Sequence, residues 1–128
     1  MIKVTIYRNK KHEYYGFDVE GHANFLEEGQ DIVCAATSIL VINTINSIEQ
    51  LTKDETSYVQ DEEAGSIKYR FSKVASHDAH ILMHAMILGL ESIEDDNINH
   101  DGKFNSYIDI IFKEVWQNDE IKPSVFCS

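Results

Sequence analysis

Positive charge is scarce in this chain: 11 Lys and Arg stand against 22 Asp and Glu, a formal net charge of −11 over 128 residues. No surplus of cations is available to displace counterions from a phosphate backbone, so no nucleic acid is expected as a partner. Cysteine is nearly absent as well. Cys34 and Cys127 are the two present, and in a reducing cytosol thiols so far apart read as separate reduced side chains rather than as a disulfide. Residues 1–8 alternate apolar with polar instead of forming the apolar core of a leader, and no apolar run approaches the length of a membrane span. The expectation is a cytoplasmic protein that does not contact a membrane. With a single proline and no low-complexity tract, nothing in the composition argues for disorder.

What is present is an ordinary globular composition, 43% apolar and 26% charged, at a length suited to one compact domain. The domain is expected over 1–117, with 118–128 as a tail. Ile2, Val4 and Ile6 alternate with Lys3, Thr5 and Tyr7, and Tyr15, Phe17 and Val19 alternate again after Asn9-Lys10-Lys11, which predicts a hairpin. A loop over 22–30 leads to a helix over 31–51 with Asp31 as its N-cap, and the near-continuous apolar run Ile32-Val33-Cys34-Ala35-Ala36 predicts that its start is buried. Strands over 56–60 and 67–71 flank the acidic turn Asp61-Glu62-Glu63-Ala64-Gly65. Ser76 caps a second helix, running to about 95, whose apolar stripe is Ala79, Met83, Met86, Leu90 and Ile93. A last strand covers 107–112. The order ββαββαβ predicts an α+β fold, a two-layer α/β sandwich with an antiparallel or mixed five-stranded sheet and both helices on one face.

Chemistry concentrates around Cys34. A thiol in the first turn of a helix sits near unpaired amides and the positive end of the helix dipole, which favour thiolate and can stabilise an oxyanion. His22 follows Gly21 at the end of the second strand, and the chain must return from there to the helix, so His22 can reach the sulfur and serve as its base. On local pattern alone a core role for Cys34 and a backbone-bonded loop role for His22 are the commoner readings.

The segment Gly21-His22-Ala23, then Gly29, then Asp31-Ile32-Val33-Cys34-Ala35-Ala36-Thr37-Ser38 resembles, without a gap, the signature of the ribosomal-processing cysteine protease family, Prp. The resemblance continues through Ile42-Asn43-Thr44-Ile45-Asn46-Ser47-Ile48-Glu49 and Leu88-Gly89-Leu90, covering about residues 1–113. It implies a homodimeric enzyme without cofactor or metal that removes a short N-terminal extension from large-subunit ribosomal protein number twenty-seven, cutting after an aromatic pair. By position, Cys34 is the implied nucleophile and His22 the general base and later acid, with Asp31 and Ser38 in support. Ala23-Asn24-Phe25-Leu26-Glu27-Glu28, bracketed by the hinge glycines Gly21 and Gly29, is the implied mobile loop, and Phe25 and Leu26 its substrate-facing residues. Thr37 departs from the bulkier aliphatic residue usual there. The tail, with Pro123 and Cys127, extends beyond the pattern.

Three histidines, His77, His80 and His84, share one helix face at a spacing that suits a transition metal, yet no H-E-x-x-H accompanies them and metal is not expected. The competing function is a non-enzymatic acidic interaction domain for ribosome assembly in which Cys34 is buried and inert. A redox sensor lacks a resolving cysteine near Cys34.

Overall fold

A computed structural model describes residues 2–21, 30–98 and 108–116. Its elements run β1 (Ile2–Arg8), β2 (Tyr14–Glu20), α1 (Gln30–Leu51), β3 (Thr56–Asp61), β4 (Ser66–Phe71), α2 (His77–Ile98) and β5 (Ile108–Glu114). They form the α+β sandwich that the order predicts. The sheet order is β3-β4-β2-β1-β5, with β1 and β5 parallel and every other pair antiparallel. Register lines up one apolar face: Val4 opposes Val19 and Ile110, Ile6 opposes Phe17, and Phe17 opposes Tyr69. Against that face α1 buries Val33, Cys34, Val41, Ile45 and Ile48, and α2 buries Ala79, Met83, Met86, Ile87 and Leu90. Period two on the strands and three-to-four on the helices thus meet in one core.

The second helix starts as its sequence implies. Ser76 Oγ accepts from the Ala79 amide at 3.2 Å, and Asp54 Oδ2 accepts from the Ser76 amide at 2.8 Å, so a carboxylate from the α1–β3 connection sits at the positive end of α2. Where the helices approach, a Cβ on Gly89 would lie 3.0 Å from the methyls of Leu40, so α1 packs closely on the backbone of α2.

On the sheet's other face a polar cluster is held down. Arg70 Nη1 donates to Asp18 Oδ1 at 2.7 Å and points at the carbonyls of Phe17 and Tyr69, while the Tyr7 hydroxyl donates to Asp18 Oδ2 at 2.7 Å. The guanidinium lies 4.6 Å from the centre of the Tyr7 ring. Gly16 makes room for this arrangement. It has φ of +154°, and a Cβ there would run into the Tyr69 carbonyl oxygen across the β2–β4 ladder. Gly16→Ala is therefore expected to cost about 3 kcal/mol in denaturant unfolding, since the ladder must open to admit the methyl.

Burial, and hydrogen bonding to Asp18, push the Tyr7 hydroxyl up to about 12. The folded state then holds the phenol proton more tightly than the unfolded chain, whose tyrosine titrates near 10. Stability from this group is complete below pH 10 and is lost as pH rises toward 12. Thermal unfolding followed across that range should show a smaller decline for Tyr7→Phe than for wild type, with Tyr14 and Tyr69, also raised by burial, supplying the remainder.

Several boundaries and one burial expectation differ, β3 running on to Asp61 and β4 starting at Ser66 among them. β5 runs on to Glu114 because its whole length pairs with β1. α2 extends past 95 to Ile98. α1 starts at Gln30, one residue early, so Asp31 lies inside its first turn rather than capping it. The start of α1 is buried on one side only: Val33, Cys34 and Thr37 are covered, but Ile32 is 71% and Ile39 70% exposed. Two helices on a five-stranded sheet can cover one flank of each helix, not the whole circumference. For the same reason 32–51 is, contrary to expectation, long and apolar enough to cross a bilayer by length and composition. Its burial of Val41, Ile45 and Ile48 against the sheet, with Asn43 and Asn46 outside, is that of a core helix.

Candidate active site

Cys34 is the fifth residue of α1, counting from Gln30. Helical Cα–Cβ bonds tilt toward the N-terminus, so the thiol is carried back toward the first turn and the positive end of the dipole. The amides left over at that end belong to residues up to Ile32, which commits the Cys34 amide itself within the helix. The unpaired amide donors at this helix end therefore precede Cys34. Only 6% of Cys34 is exposed, and it belongs to the same core cluster as Val33 and Val41. One turn later the Thr37 side chain is also buried, with no hydrogen-bond partner for Oγ1 among the described residues. Tolerating a hydroxyl where an aliphatic group would fit has a cost in desolvation.

Ser38, four residues after Cys34, is exposed and opens onto a cleft of about 300 Å³ whose walls include Val19, Val41, Asp61, Glu62 and Ile67. The cleft brings together the end of β2, the first half of α1 and the acidic β3–β4 turn. Sequence reading treated that turn only as a connection. Its place beside Ser38 depends on β4 pairing with β2, a contact between distant segments that no local pattern announces. The Asp61 carboxylate is partly engaged at home, accepting from the Ala64 amide at 3.1 Å.

Gly21, expected as a hinge, has φ of +101°, a left-handed conformation that suits glycine at the point where the chain leaves β2. His22, Phe25, Leu26 and Gly29 lie outside the described residues, as do Cys127 and the tail. Two of the three histidines of α2, His80 and His84, are otherwise occupied. His80 stacks on Tyr14 with ring centres 4.8 Å apart and lies parallel to His84 at 6.3 Å, while His84 Nδ1 is 3.2 Å from the Tyr14 hydroxyl. Among the described residues no group of three His, Cys, Asp or Glu side chains converges as a metal site.

A buried thiol near the head of a helix, one turn before a cleft-lining serine and packed on an antiparallel-dominated sheet, has relatives among known proteins. The sequence model of the family described as Cysteine protease Prp matches residues 1–100. The ribosomal processing cysteine protease Prp of Bacillus subtilis (strain 168) is 35% identical over 100 residues, spanning 75% of this chain and 89% of that protein. Its counterpart from Staphylococcus aureus (strain Mu50 / ATCC 700699) is 29% identical over 96 residues, with 75% and 91% covered. Among solved structures, the ribosomal processing protease Prp from S. aureus in complex with a substrate peptide superposes with a TM-score of 0.77 at 26% identity, over 88% of this chain and all of that one. SMU.848 from Streptococcus mutans gives a TM-score of 0.72 at 27% identity, over 90% and 99%.

The fold and these relatives define a cysteine protease. The chain belongs to the Prp family of cysteine proteases.

Proposed function

We propose that the enzyme removes the N-terminal extension of a ribosomal protein, large-subunit protein number twenty-seven, during ribosome assembly in the cytoplasm, with Cys34 as nucleophile and His22 as base. Family membership together with the position of Cys34, in the first turns of α1 and one turn from an open cleft, carries this reading. The S. aureus relative has been crystallised with a substrate peptide and with a covalently linked product peptide, which supports a peptide substrate here.

His22 takes the thiol proton, and the sulfur attacks the scissile carbonyl carbon to form a tetrahedral oxyanion. Collapse breaks the C–N bond, and the leaving amine takes the proton from His22. Water, deprotonated by His22, then attacks the thioester and releases the new carboxylate and the thiol. Asp31 and Ser38 support the pair. A carboxylate at position 31, in the first turn of α1, would suit the helix dipole but oppose thiolate formation, so orientation of His22 is the role proposed for Asp31. The glycine-flanked loop carrying Phe25 and Leu26 contacts substrate.

A homodimer accords with the uncovered helix surface. Ile32 and Ile39 on α1 and Ile81 and Leu88 on α2 are each seven residues apart and exposed, leaving two apolar stripes that a second copy would cover. Incubation with the ribosomal-protein precursor followed by mass spectrometry of the products tests the function. One cut after the aromatic pair is expected, and an intact precursor under conditions where the fold is present would refute the substrate assignment.

A further inference from the structure

The net charge of −11 is unevenly laid out. Four of the 11 cations, Arg8, Lys10, Lys11 and Lys113, cluster at the end of the sheet where β1 turns into β2 and β5 stops. The carboxylates of the same stretches are Glu13, whose Oε1 accepts from Asn9 Nδ2 at 2.9 Å, and Glu114. Among the described residues cations therefore prevail at this end of an otherwise acidic molecule.

Beside them stands Trp116, the sole tryptophan, 74% exposed. Its backbone is anchored: the neighbouring Val115 is buried and donates its amide to the Arg8 carbonyl at 2.8 Å, and the Tyr15 hydroxyl donates to the Trp116 carbonyl at 3.4 Å. The facing turn is anchored too, since Asn9 Oδ1 accepts from the amides of Lys11 and Glu13, both at 2.9 Å. Lys10 Nζ lies 5.9 Å from the centre of the indole, and the Arg8 guanidinium 4.1 Å from that of Phe112. Between turn and indole is a cavity of about 350 Å³ lined by Asn9, Lys10, Lys11, Glu13, Val115 and Trp116.

We propose that this end of the sheet binds single-stranded RNA, with one base stacked on Trp116 and the flanking phosphates on Lys10 and Lys11. An indole face is sequence-tolerant because every base has a π-face to lay on it. Two adjacent lysines on a fixed turn suit successive phosphates, and repulsion by the acidic surface elsewhere confines a polyanion to this end. An acidic peptide would use the lysines but has no need of the ring. Duplex RNA keeps its bases stacked and cannot offer one to it.

Because Trp116 is the only tryptophan, its fluorescence in the full chain reports this site directly. Titration with a short oligouridylate is expected to quench it saturably, with log affinity falling against log salt at a slope of about −1.4 for two phosphates. Lys10→Gln/Lys11→Gln, two exposed turn positions remote from Cys34, is expected to weaken binding about tenfold or more and flatten that slope. Trp116→Ala, read by anisotropy of a labelled oligouridylate, is expected to lose about tenfold. Absence of saturable quenching, unchanged affinity in the double variant, or tighter binding of oligoglutamate or duplex RNA than of oligouridylate at the same ionic strength overturns the proposal. None of these readouts depends on protease activity.

Discussion

Cys34→Ala is expected to abolish precursor cleavage, leaving less than about a thousandth of the wild-type rate, while circular dichroism and thermal unfolding change little. The small structural effect follows from size, because replacing the thiol by hydrogen removes one buried heavy atom from a helix that keeps Val33, Val41, Ile45 and Ile48 in the core. The large catalytic effect follows from chemistry, since no other described side chain in the first turns of α1 is a nucleophile of comparable strength. His22→Ala should fall by a similar factor, because losing the base removes the same step. Additivity fails for groups acting as a unit, so the double variant should be scarcely worse than either single one. Residual cleavage near the wild-type rate in either variant would end the assignment. Asp31→Asn should fall less, since an amide would keep part of the orienting hydrogen bond proposed for that position.

The largest stability effect is expected across the sheet, at Arg70. Arg70→Met strands the Asp18 carboxylate, which among the described residues is left with the Tyr7 hydroxyl, under a face where both partners of the ion pair are nearly buried. Removing one member of such a pair costs about 3–5 kcal/mol, because an uncompensated charge remains in a poorly solvated place. In a chain of 128 residues that should lower the melting temperature by roughly 12 °C or more. Arg70→Met combined with Asp18→Leu should recover most of the loss, since neither charge is then left behind. A single-variant loss under about 1 kcal/mol would mean that water screens the pair far more than its burial implies.

Much of the fold was legible because local patterns and tertiary packing agree. Ile2, Val4 and Ile6 alternate in the sequence and line the core in the structure, and Ser76 both looks like a cap and acts as one. Pairing between distant segments was not legible. Nothing in Ile108 to Phe112 states that the strand lies parallel to β1, or that β4 sits against β2 and thereby sets the acidic turn beside Ser38. The apolar run of α1 misled for a related reason: composition records how apolar a helix is, and only packing decides which flank is covered.

Around the thiol the sequence was most informative about address and least about partners. Cys34 near a helix start could be placed from Gly29, Asp31 and the apolar run that follows, to within the one residue by which α1 begins early. That single step matters, because it moves the unused amides before Cys34 and removes Asp31 from the cap. The stripe of His77, His80 and His84 illustrates the converse. Its spacing is metal-like, but a ring contact of His80 with Tyr14 and the approach of His84 Nδ1 to the Tyr14 hydroxyl give two of its members a structural occupation that spacing cannot reveal. The basic turn with its exposed Trp116 was equally hidden, since 8–11 and 113–116 meet only through the parallel β1–β5 pairing.

The central claim is that one of the two thiols does the chemistry. Brief alkylation with iodoacetamide at neutral pH, followed by peptide mapping and a cleavage assay on the same samples, tests it most directly. The account predicts that loss of activity follows modification of Cys34 in step, with Cys127 reacting more slowly and without effect. Full activity with Cys34 alkylated, or inactivation that tracks Cys127 instead, would contradict it.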